Sequence, residues 1–229
     1  MESVAQNWAA VQERIARAAG AAGRDPAAIH VVAVTKTRTA AEVDAALAAG
    51  VALVGENRVQ EAQAKRPRVS GAARWHLIGH LQRNKAARAL ELFDVIQSLD
   101  DPRLADALER RAAETGRTVE VLLQVNTAGA ASQSGVSPEA TPALAEHVAG
   151  LGHLQLRGLM TIAAFTDEVA DVRRCFRDLR RLAAQVEARR LEGVEMRYLS
   201  MGMSGDFEIA IAEGSNMVRI GTAIFGARG

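Results

Sequence analysis

A β-branched stretch, VVAVT, runs directly into Lys36, the residue of this sequence best placed to act as a nucleophile. A neutral amine at a strand end can attack an aldehyde and form a Schiff base. The same position also suits a lysine whose stem packs along the strand while its charge stays in water. Position alone leaves both open.

Two glycine-rich segments follow late strands: Ser200-Met-Gly-Met-Ser204-Gly-Asp206 and Arg219-Ile-Gly221-Thr222. Free backbone N–H groups and hydroxyls at a helix start can hold phosphate. One such loop is explained by tight-turn geometry; two on neighbouring strands favour a phosphate site. Polar residues end the other strands: Asn57, Gly79-His80, Ser98, Asn126 and Thr161. His76 and His80 flank this region without a cluster of zinc-ligand spacing, so no metal is expected. Glu56 suits either a base or a carboxylate at the first turn of a helix. Trp75 and Cys175 read as packing. Arg173, Arg174, Arg177, Arg180 and Arg181, interspersed with Asp171 and Asp178, read as a solvated helix face.

The elements that must position these residues alternate. Val4, Trp8, Val11 and Ile15 mark one face of an opening helix that ends near Gly20. Strands are expected at 29–35, 51–54, 75–78, 93–97, 118–125, 154–160, 196–199 and 217–220, each followed by a helical segment. Thr39 and Glu42 form a capping box, and Asp101-Pro102 is a second helix start. The third helix is expected from Glu56, and the sixth from Ser137-Pro138. Eight strand–helix units close naturally into a parallel (β/α)8 TIM barrel, here with an extra N-terminal helix. An open doubly wound sheet is the competitor, but no GxGxxG follows the first strand.

The chain has 229 residues, and such a barrel takes about 200–250. A single domain over 1–229 is therefore expected. Lys and Arg total 28 against 27 Asp and Glu. That balance gives no reason to expect nucleic acid or a membrane surface as partner. A single cysteine forms no intrachain disulfide, and the opening lacks a signal-peptide core, so the expectation is a cytoplasmic protein. With no obvious exposed apolar stripe, a monomer is expected.

Taken together, AVTKT (33–37), VGENRVQE (54–61), WHLIGHLQRNK (75–85), QVNTAGAASQSGV (124–136), RGLMTI (157–162) and LSMGMSGDFEIAIAEGSNMVRIGTAIFG (199–226) resemble the YggS/PROSC-type pyridoxal-phosphate homeostasis proteins. The resemblance implies a barrel related to the N-terminal domain of alanine racemase, with pyridoxal 5'-phosphate (PLP) as a Schiff base on Lys36. It places Arg219 at the pyridine nitrogen, Ser204, Gly221 and Thr222 at the phosphate, and Asn57 beside the ring, with Ile78 and Met201 nearby. It implies storage, buffering or delivery of PLP without turnover, with PLP-dependent apoenzymes as recipients. Ala130 and Gln133 depart from the family, which often has glutamate and lysine there; Arg58 replaces a tyrosine. An amino-acid racemase is the alternative, but it needs an acid/base group on each face of the substrate carbon. The only tyrosine, Tyr198, lies inside the seventh strand.

Overall fold

The computed structural model describes residues 3–227. A capping box between Ser3 and Gln6 starts α1 (Val4–Ala21), which buries Val11, Ile15 and Ala19. These pack with residues of α8 (Phe207–Ala212) and α9 (Thr222–Phe225) across the outside of the barrel. The N-terminal helix thus covers the seam where the first strand meets the last.

The strands are β1 (His30–Val34), β2 (Leu53–Glu56), β3 (Arg74–Leu77), β4 (Val95–Leu99), β5 (Val119–Gln124), β6 (Leu154–Met160), β7 (Tyr198–Ser200) and β8 (Met217–Ile220). All neighbours are parallel, and β8 closes onto β1. Between them run α2 (Ala40–Ala48), α3 (Val59–Lys65), α4 (Ala86–Leu92), α5 (Pro102–Thr115), α6 (Thr141–Ala149) and α7 (Val169–Glu187). Parallel neighbours need a crossover, and a helix on the outer face supplies it while covering the apolar side of the sheet. The chain is an α/β barrel of the (β/α)8 type with an added N-terminal helix, as the alternation predicts.

Side chains alternate across a strand. One set fills the barrel: Val32, Ile78, Val95, Leu122, Met160, Tyr198 and Met217. The other set joins the larger core between sheet and helices, with Phe93, Leu99, Leu108, Phe176 and Leu179 fully buried. No described helix is long and apolar enough to cross a membrane.

Several boundaries move. Expected at 51–54, β2 begins at Leu53, because Val51 still closes the turn after α2 by donating to Ala46 O. The strand therefore runs on through Glu56, and α3 starts three residues later than expected. β4 likewise slides from 93–97 to Val95–Leu99, since Phe93 N still bonds back to Ala89 O in α4. Its Ser98 lies within the strand, and Ser200 is the last residue of β7. The sixth helix begins at Thr141, with Ser137 capping the preceding turn through Ala140 N.

Candidate functional site

Arg219 comes from β8, in phase with inward-facing Met217. Its guanidinium is buried and lies below the barrel mouth. Nη2 donates to Thr161 O at 2.7 Å, and Nη1 donates to Ser200 Oγ at 2.8 Å. Burial pushes its pKa down to about 10, with nearby Asp206 acting against the shift. It remains a cation at neutral pH.

A chain of hydrogen bonds continues from there. Arginine has no acceptor, so the Ser200 hydroxyl must accept from it and send its own proton onward. That proton goes to Gln97 Oε1 at 2.6 Å, and Gln97 Nε2 faces His76 Nδ1 at 2.8 Å. An amide N–H can only donate, so Nδ1 is the acceptor and the His76 proton sits on Nε2. Burial holds the His76 pKa down at about 3, with smaller repulsion from Arg74 and His30. The imidazole is neutral, and its Nε2 is buried without a partner.

The Ser204 loop and the start of α9 converge beside this group. Gly221 N and Ala223 N each donate to Ser204 Oγ at 3.3 Å. Gly202 makes the loop possible: its φ is +96°, and a Cβ there would lie 2.6 Å from Ala210 Cβ. Thr222 is exposed beside the same N–H groups. Burial raises the pKa of Asp206, against the Met203 amide and Arg219, which both favour the charged form.

Lys36 follows β1 in phase with Val32 and Val34, whose side chains line the barrel interior. It is half-buried and, among the described residues, forms no ion pair. Asn57 follows β2 in the inward phase, and its Oδ1 is buried without a partner. Gly79 lets the next strand end approach it, since a Cβ at 79 would sit 2.2 Å from Asn57 O. Ile78 belongs to the barrel interior. Met201 does not join this group through its side chain. It is buried in the outer core between sheet and helices, one residue out of phase with Ser200.

One assignment changes. Glu56 is neither a mouth base nor a helix-start carboxylate; it ends β2 facing outward, where it pairs with Lys65. Of the two histidines around Gly79, His76 is inside the barrel, while His80 is exposed and faces Asp100 at 3.8 Å. Gln97 is a site residue that the sequence analysis does not reach. Its one signal is an amide in the otherwise apolar VIQSL strand, and its partners lie 21 and 103 residues away.

Residues 3–229 match the family model described as alanine racemase, N-terminal domain. A pyridoxal phosphate homeostasis protein of Pseudomonas aeruginosa is 44% identical over 229 residues, covering 100% of this chain and 97% of that protein. One from Escherichia coli is 41% identical, over 100% of this chain and 98% of that protein. The structure of PipY from Synechococcus elongatus with PLP bound is 36% identical with a TM-score of 0.86, covering 98% of this chain and 100% of PipY. Alanine racemase from Corynebacterium glutamicum shares the fold at 19% identity and TM-score 0.74, this chain matching 61% of it. Coverage from end to end at this identity places the chain in the family of pyridoxal phosphate homeostasis proteins, built on the alanine racemase N-terminal barrel.

Proposed function

We propose that this chain binds PLP at the barrel mouth and serves its homeostasis by storing, buffering or delivering it. The observation that carries this is the pairing, on β8 and the adjacent β7 loop, of a buried arginine with N–H groups converging on a serine hydroxyl. The residues fit the cofactor. The Ser204 hydroxyl with Gly221, Thr222 and Ala223 offers donors for a phosphate, and the orphaned Asn57 Oδ1 awaits a polar partner. Lys36 is the covalent attachment point, Arg219 faces the ring nitrogen, and Ile78 lines the floor. Met201 contributes through its main chain.

PLP supplies an aldehyde that exchanges between amines and, when its ring nitrogen is protonated, an electron sink. Arg219 can only donate hydrogen bonds and carries a permanent charge, so it disfavours a proton on that nitrogen. Ser200 and Thr161 O hold its plane. Lys36 then anchors and exchanges the aldehyde with free amines while carbanion chemistry is poorly supported. Homeostasis proteins as relatives support a role without turnover. The racemase alternative is weakened by Tyr198, which lies inside the barrel with its ring edge-on to His30, centroids 5.4 Å apart. It is on the far side of Ser200 from the mouth.

We further read the chain as one barrel domain over 1–229, a cytoplasmic monomer that hands PLP to apoenzymes. Borohydride reduction of the PLP-loaded protein followed by peptide mass spectrometry tests the central assignment. The chain has only three lysines, Lys36, Lys65 and Lys85, so the adduct has few possible addresses. An adduct on Lys36 is expected; none there overturns the assignment. Incubation with L-amino acids should yield no D-isomer above background.

A further inference from the structure

Lys36 occupies the second position of a closed four-residue turn. Arg38 N donates to Thr35 O at 3.0 Å, and Thr37, the third residue, has a φ of +65°. A turn with a left-handed third position favours glycine or asparagine there. A β-branched residue in that conformation is strained. The turn is therefore one that its own sequence disfavours, and something outside it must hold it.

The contacts that hold it come from α3. Lys65 Nζ donates to Thr35 O at 2.6 Å, reaching the carbonyl of the peptide that joins Thr35 to Lys36. Four residues earlier on the same helix face, Glu61 Oε2 accepts from Thr37 N at 3.1 Å. These two bonds grip the peptides on either side of Lys36. The grip is anchored by Glu56, fully buried at the end of β2, which pairs with Lys65 and accepts from Thr35 Oγ1 at 2.6 Å. Burying this ion pair is expensive, and apolar side chains of similar volume often fill such a place equally well. Its bonds go instead to the backbone that carries Lys36.

We propose that α3 clamps the Lys36 turn, with Lys65 and Glu61 as positioning residues that hold the amine in the orientation needed for covalent attachment of PLP. This rests on Lys36 being the attachment point. The clamp acts on the backbone and leaves the phosphate and ring contacts on β7 and β8 untouched. Loosening it weakens the covalent link while phosphate-dependent binding persists.

The test compares Lys65→Met, Glu61→Ala, Thr37→Gly and the Lys65→Met/Thr37→Gly double variant with wild type. PLP release is followed by transfer to an excess of a free amine, and covalent loading by borohydride fixation. Loss of one charged hydrogen bond predicts release faster by on the order of tenfold in Lys65→Met, and by a few-fold in Glu61→Ala. Thr37→Gly in the Lys65→Met background should restore much of the loss, because glycine adopts the left-handed conformation without strain. A purely structural role for Lys65 would not be rescued at Thr37. In the apo protein, hydrogen exchange at the Thr37 amide should quicken in Glu61→Ala, a readout that needs no cofactor. Should Lys65→Met not fold, Glu61→Ala decides by itself. The clamp is overturned by wild-type release and exchange in Glu61→Ala, or by no rescue in a folded double variant. A wild-type protein without an adduct on Lys36 would instead remove the attachment assignment, which keeps the two failures apart.

Discussion

Arg219 Nη1 donates to Ser200 Oγ at 2.8 Å inside the barrel, and this bond fixes the direction of every hydrogen bond behind it. Arginine is donor-only, so serine must pass its proton to Gln97, and Gln97 must donate to His76. The order holds the guanidinium from below without a carboxylate.

Ser200→Ala should therefore disturb more than its size suggests. It leaves Arg219 Nη1 and Gln97 Oε1 buried without a partner. A loss of about 2 kcal/mol is expected from unsatisfied buried groups, or roughly 4–8 °C in Tm for a domain of this size. Thermal unfolding measures it, and PLP affinity should fall in parallel. Unchanged Tm and affinity would show that the chain does not support Arg219.

Arg219→Glu puts an acceptor where the structure has a donor. The visible spectrum of bound PLP should shift and its retention on dialysis should fall, by on the order of tenfold or more. A spectrum and retention equal to wild type would displace Arg219 from the ring nitrogen.

Ser204→Ala removes the hydroxyl on which Gly221 N and Ala223 N converge. Affinity for PLP should drop by about tenfold, the size of one charged hydrogen bond. Binding of pyridoxal, which lacks the phosphate, should hardly change. Equal losses for both ligands would argue against a phosphate cradle at this loop.

His76 links folding to pH. Its folded pKa, near 3, is depressed below the ordinary value of 6.5 by burial. The neutral ring thus adds stability that is fully present above pH 6.5 and is lost as pH falls toward 3. In that window the protein should lose roughly 1.4 kcal/mol per pH unit through this group. His76→Gln keeps an acceptor for Gln97 and cannot titrate. Urea unfolding between pH 4.5 and 7.5 should give a flatter profile for the variant; parallel profiles would mean that His76 is solvated or already protonated.

Much of the barrel was legible in the sequence. Short β-branched runs alternating with amphipathic segments determine a parallel sheet, and the glycine at 202 marks where backbone must approach closely. Lys36 could be placed just after a short β-branched run, and Arg219 within the last strand. The strand limits were less legible. Val51 and Phe93 look like strand residues, yet each still closes a helical turn by a backbone bond to Ala46 or Ala89. Hydrogen bonding decides those ends, and hydrophobicity does not report it. The slips at β2 and β4 move each strand's ends by two residues and leave unchanged which residues face inward, because side chains alternate along the chain itself.

Tertiary structure alone decided which polar residues meet. Ser200 and Gln97 are 103 residues apart, and only closure of β8 onto β1 brings β4, β7 and β8 around one interior. Glu56 is the sharper case. By sequence it belongs to a helix start, where the dipole satisfies a carboxylate. In the fold it ends a strand, faces outward, and meets a lysine that only the packing of α3 can supply. Local sequence determines which groups exist and their phase along each strand. Partners, and with them charge and orientation, follow from closure, because they depend on distances between segments that have no local signature.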